Sequence, residues 1–103
     1  MIKVSVFYAA SRSKHFDMDY YCSRHMPLVQ RLCGTALKSV AVDKGIGGGE
    51  PGAAPTFAAI GHLVFESVDA FQASFGPHTN EIIADVPNYT NIAPVIQINE
   101  IMM

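Results

Sequence analysis

The chemistry open to this chain resides in its histidines and tyrosines. His25 lies in YYCSRHMPLV, two residues before Pro27, where apolar residues recur at helical spacing. At about 100° per residue, Met18, Cys22, His25, Val29 and Leu32 share one stripe; Tyr21 sits at its edge and Tyr20 faces away. His62 stands between Ile60 and Val64 in a strand-like run. His78 follows Pro77, near an apolar face marked by Val68, Phe71, Phe75 and Ile82. The fourth histidine, His15, falls in a polar loop before Asp17 and is expected to be exposed. Neutral imidazoles beside a tyrosine suit proton transfer near pH 7, as in enolisation, aldol cyclisation or dehydration. A buried histidine can equally be a core group bonded to a backbone carbonyl or a tyrosine. That alternative stays open, and for His62 it weighs as much as the functional one. Three histidines on elements able to enclose one cavity point to a pocket with an apolar wall and a polar focus. His25 and His78 are the candidate catalytic groups; Tyr21, His62 and Phe75 are candidate ligand contacts.

Other chemistries have weaker support. No HxxxH or HExxH spacing is present, so no metal site is expected, and no cofactor is required. A single histidine could ligate haem iron, a role that sequence rarely discloses. No nucleophile triad is indicated. GIGGGEPG lacks the GK[ST] of a phosphate loop and precedes a strand, so residues 45–55 read as a flexible connection.

The elements that must hold these residues follow from periodicity. Residues 2–9 alternate, with Ile2, Val4, Val6 and Tyr8 against Lys3, Ser5 and Phe7, which predicts a strand. Asp17 is a fit N-cap for a helix running toward Gly34. Pro27 should break it at 24–26 and begin a second segment. Residues 36–44, 56–66 and 93–102 read as further strands. Ser67 caps a second helix, followed by a short one near 78–84. The order β-α-β-β-α-β predicts an α+β, ferredoxin-like single domain over residues 1–103: a four-stranded antiparallel sheet with helices on one face. Such a sheet should alternate apolar and polar residues. The third strand does not: Phe57, Ala59, Leu63 and Phe65 oppose Ala58, Ile60, His62 and Val64. The last strand is also apolar on both faces. A second copy packed sheet to sheet would cover the surplus face, so a homodimer is expected.

The net charge of −2 and the small basic cluster of Arg12 and Lys14 argue against a nucleic-acid partner. No apolar run approaches the roughly 20 residues that cross a bilayer, and the N-terminus has no signal-peptide pattern. Cys22 and Cys33, on one helix, would lie about 16 Å apart, beyond disulfide reach. Both are expected to be small buried hydrophobes in a reducing, cytoplasmic setting.

DMDYYCSRHMPLV (17–29), AIGHLVFES (59–67), FGPHTNEIIADVPNYT (75–90) and PVIQINEI together resemble the EthD family, named for ethyl tert-butyl ether degradation. The resemblance spans nearly the whole chain and implies a dimeric α+β barrel, two ferredoxin-like sheets packed face to face. It associates the chain with an ether-degrading oxygenase system and a small hydrophobic ligand. Relatives of the barrel include polyketide cyclases, lactone isomerases, quinol-forming monooxygenases and haem-degrading enzymes, so fold alone does not choose a reaction. By position the family pattern singles out His25 with Pro27, His62, His78 and Pro87-Asn88-Tyr89, making Tyr89 a further candidate ligand contact. A catalyst and a non-catalytic metabolite carrier or oxygenase-support protein both remain open.

Overall fold

The two-residue period of β1 (Ile2–Ala9) sets the layers of the molecule. In the computed structural model, which describes residues 1–103, Ile2, Val4 and Tyr8 are buried in the core. Lys3, Ser5 and Phe7 take the opposite face. After β1 come α1 (Met18–Tyr20), a π-helical turn (Tyr21–His25), α2 (Met26–Cys33) and β2 (Leu37–Lys44). Then follow β3 (Phe57–Phe65), α3 (Val68–Phe75), α4 (Thr79–Asp85) and β4 (Val95–Glu100). The sheet is antiparallel in the order β2-β3-β1-β4, the expected ferredoxin-like α+β arrangement. The caps are those expected. The Tyr20 N–H donates to Asp17 Oδ1 at 3.0 Å, and the Ala70 N–H to Ser67 Oγ at 3.0 Å. Gly34 ends α2 at φ 62°, in the region that favours glycine. No helix is long and apolar enough to cross a membrane.

Three local features differ from the sequence expectation. The helix does not break at Pro27: His25 keeps φ −69° and ψ −53°, and Met26 also stays right-handed. Instead the turn Tyr21–His25 widens, and the Met26 N–H donates to the Tyr21 carbonyl. Pro27 then sits in the first turn of α2, where its missing N–H costs little. A π turn carries one extra residue. That rotates the upstream segment by about one residue's angle, roughly 100°. The buried line becomes Tyr21, His25, Val29 and Cys33, and Cys22 is exposed rather than buried.

The second feature is a bulge at Ala58. Tyr8 pairs with Ala59 but Ala9 pairs with Phe57, so Ala58 is the extra residue. Phe57 is thereby turned to the face of Phe7, with ring centroids 5.0 Å apart, and does not join Ala59, Leu63 and Phe65. The third concerns β4. Ile96 and Ile98 pair with Val6 and Val4 and share their helix-facing side, yet remain 55% and 43% exposed. The helices do not reach across this edge strand. Val95, on the other face, is 64% exposed.

Candidate active site

His25 ends the π turn and is buried to 5% exposure. Its Nδ1 lies 2.9 Å from Asp85 Oδ2, at the last residue of α4. Asp85 is itself held in place: Oδ1 accepts from the Tyr20 hydroxyl at 2.7 Å and from Asn88 Nδ2 at 2.9 Å. An ionised carboxylate only accepts, so the proton of a neutral His25 resides on Nδ1 and the lone pair on Nε2. Burial pushes the imidazole below its ordinary pKa; the carboxylate pulls the other way and is outweighed. Burial alone would raise the Asp85 carboxyl, but the donors Asn88, Tyr20 and His25 prevail and hold it below its ordinary range.

His25 Nε2 faces the Tyr89 hydroxyl at 3.4 Å, a long contact, and Tyr89 Oη lies 2.8 Å from Tyr8 Oη. The single Tyr89 proton cannot serve both neighbours. When it is given to Tyr8, the Nε2 lone pair is free. Tyr8, Tyr21 and Tyr89 are at most 2% exposed, and burial raises all three phenol pKa values, so each is a neutral hydroxyl at pH 7. The Tyr21 ring stacks on His25 with centroids 5.4 Å apart. Its hydroxyl reaches the sheet only because residue 61 is glycine: a Cβ there would overlap it.

These groups surround a cavity of about 110 Å³ between the helices and the β1–β4 side of the sheet. Val6, Met26, Leu63, Phe75 and Val86 supply apolar wall, and the rim passes the exposed Ile83 and Ile96. A cavity of roughly 150 Å³ admits benzene, so this one suits a ligand of a few heavy atoms.

The structure therefore brings together four of the six residues expected at a site: His25, Tyr21, Phe75 and Tyr89. His62 lies on the opposite face of the sheet, because its strand position alternates with Gly61 and Leu63, and it pairs with Asp43. His78 sits in the tight turn Gly76–His78, half-buried, and does not line the cavity although Phe75 and Thr79 do. The three histidines thus do not enclose one cavity. Asp85 and Tyr8 were not expected at the site. Tyr8 was legible as an inward strand position. Asp85 carried no local signal, since it meets His25 only through the packing of α4 on the π turn.

The fold has recognisable relatives. An EthD-like protein from Ralstonia eutropha JMP134 is 42% identical and superposes with a TM-score of 0.95, over 99% of this chain and 92% of that one. An ethyl tert-butyl ether degradation family protein from Bacillus halodurans C-125 is 17% identical, TM-score 0.68, over 99% of both chains. A Bordetella bronchiseptica protein provisionally described as an antibiotic biosynthesis monooxygenase is 14% identical, TM-score 0.61, over 99% of this chain and 96% of that one. The last two share the fold alone. Among curated proteins there is no match. The EthD domain model matches residues 11–93, which includes the π turn, His25, Asp85 and Tyr89, and the chain belongs to the EthD family.

Proposed function

We propose that this protein moves a proton on a small, largely apolar carbonyl or hydroxyl compound, with His25 as the base. The observation that carries the reading is the pinned tautomer: Asp85 holds Nδ1–H and leaves the Nε2 lone pair beside Tyr89 at an apolar cavity. A base with a lowered pKa is unprotonated at neutral pH, and the one Tyr89 proton, turned from Tyr8 to the ligand, can serve the oxygen on which charge develops. The family name supports a place beside an oxygenase in ether or other xenobiotic breakdown, where oxidation yields small carbonyl products. The uncovered sheet face, with Phe7, Phe57 and Val95 on it, supports a homodimer of dimeric α+β barrel type.

The test is exchange of the α-protons of 2-butanone in D₂O, followed by proton NMR. The expected result is catalysed exchange that falls by about 10²-fold or more in His25→Ala while the protein stays folded. A second reading has one observation in its favour: every buried polar side-chain atom already has a partner within the chain. A carrier needs no free catalytic group. Binding of 2-butanone, seen as chemical-shift changes at cavity residues, without any exchange would favour the carrier. Unchanged exchange in His25→Ala would refute the catalytic role.

A further inference from the structure

A second, larger hollow lies at the end of the sheet where β1 and β2 finish and β3 begins. It holds about 310 Å³, near the lower limit for small-molecule sites. Phe16, Met18, Pro55, Ala58 and Ile92 give it an apolar floor, and Lys14, His15 and Lys44 add nitrogen donors. No carboxylate lines it. The nearest acids along the sequence are engaged elsewhere. Asp17 Oδ1 accepts from the Tyr20 N–H at 3.0 Å, and Asp43 Oδ2 lies 2.8 Å from His62 Nε2 on the uncovered face. Lys44 pairs with Ala59, a core residue, and so points to the helical side of the sheet. The chain's ion pairs, His25–Asp85 and His62–Asp43, leave both lysines without a counter-charge. The hollow is also held in shape. The His15 N–H donates to Asn91 Oδ1 at 3.0 Å, and the His15 carbonyl accepts from Thr90 Oγ1 at 2.6 Å. The loop that carries Lys14 is thereby pinned to the segment before β4.

We infer that this hollow is a binding site for a small organic carboxylate, its anion held by Lys14 and Lys44 and its apolar body resting on Phe16, Met18 and Ile92. Inorganic phosphate fits less well. Phosphate sites draw on free backbone N–H groups, and those of Ala10, Lys14, His15 and Gly45 are already spent on acceptors within the chain. The site is separate from the His25 cavity and does not depend on the role proposed for it. Phe16 is the partition: its ring centroid stands 4.8 Å from that of Tyr8, 5.0 Å from Tyr21 and 5.4 Å from Tyr89. A carboxylate on the far side of Phe16 is thus one aromatic layer from the tyrosines of the smaller cavity.

Benzoate, titrated at low ionic strength into isotope-labelled protein and followed by NMR, tests this. It is too large for the His25 cavity of about 110 Å³, since benzene alone needs roughly 150 Å³. Saturable shifts should centre on Phe16, Met18 and Ile92, with a dissociation constant of about 1 mM or less. Benzamide, of the same shape without the charge, should bind about tenfold more weakly. Lys14→Gln and Lys44→Gln, both folded by circular dichroism, should each weaken benzoate by about threefold or more. Added salt should weaken benzoate and leave benzamide unaffected. Equimolar phosphate at matched ionic strength should not displace benzoate; displacement would overturn the choice of carboxylate. Equal affinity for benzoate and benzamide, unchanged binding in both lysine variants, or shifts centred away from Phe16 would overturn the site.

Discussion

Replacing Asp85 by asparagine should silence the site while sparing the fold, and the structure fixes how. Two donors, the Tyr20 hydroxyl and Asn88 Nδ2, converge on Oδ1. An introduced amide must therefore place its carbonyl oxygen there and its NH₂ at the Oδ2 position, 2.9 Å from His25 Nδ1. Nδ1 then has to accept, the ring proton moves to Nε2, and the lone pair no longer faces the cavity. The stability cost is that of a charge-assisted bond exchanged for a neutral one, about 1–1.5 kcal/mol. In a domain of this size that is a fall of roughly 5–10 °C in melting temperature. Proton exchange should fall by about 10²-fold or more, the share that a correctly placed base supplies. Nitrogen-15 NMR of the imidazole reads the tautomer directly. The carboxylate also pulls the His25 pKa upward, so its removal should shift the residual titration to lower pH. Retention of Nδ1–H in Asp85→Asn, or exchange within a few-fold of wild type, would refute the pinned-tautomer argument.

Other consequences follow from the same packing. In Gly61→Ala the new methyl would overlap the Tyr21 hydroxyl and lie 3.2 Å from Met26 Cε, costing about 1–3 kcal/mol by overpacking. Tyr21→Phe removes the overlapping oxygen, so the double variant should be more stable than the summed single effects by over about 0.5 kcal/mol in denaturant melts; simple additivity would contradict the contact. Acid should destabilise the protein in two stages. Both His25 and Asp85 have folded pKa values below their ordinary values of 6.5 and 3.8, so the unfolded chain binds more protons in each window. Stability is present above each ordinary value and is lost as pH falls through the folded one. Melting temperature against pH should show the first loss starting below about 6.5, and His25→Ala should abolish that stage and shrink the second, because His25 is one of the donors that hold Asp85 down.

The layers, the order of elements along the chain and the capping residues were legible in the sequence because period and cap chemistry are local. Asp17 and Ser67 have the side chains that N-caps need, and β1 puts Ile2, Val4, Val6 and Tyr8 on one face. The register inside elements was harder. A π turn leaves no mark in a helical wheel, so Cys22 was placed where Tyr21 belongs. One inserted residue, Ala58, likewise carried Phe57 to the other face. His25 was legible as the polar focus because it stands in an apolar line beside a proline. Its partner was not, since Asp85 is sixty positions away and only the docking of α4 brings the two together.

The two histidine–carboxylate pairs show why position in the fold, and not composition, assigns their roles. His25–Asp85 and His62–Asp43 have nearly the same separation, 2.9 and 2.8 Å. The first is enclosed by aromatic rings, and its carboxylate is 14% exposed, saturated by three donors. Its remaining acceptor, the His25 Nε2 lone pair, has only the long 3.4 Å contact to Tyr89 beside the cavity. The second lies on a flat sheet face with an open-ended carboxylate and a chain of neutral amides and a hydroxyl behind it. Its unused acceptor capacity is open to solvent, the Asp43 side chain being 63% exposed. Burial, by removing competing water, makes a pinned imidazole a base. The same pair on the exposed sheet face keeps its carboxylate in water, which weakens the hold on the imidazole. The two pairs thus stand on opposite sides of one sheet, the enclosed one at the cavity where proton transfer is proposed and the other on the exposed face.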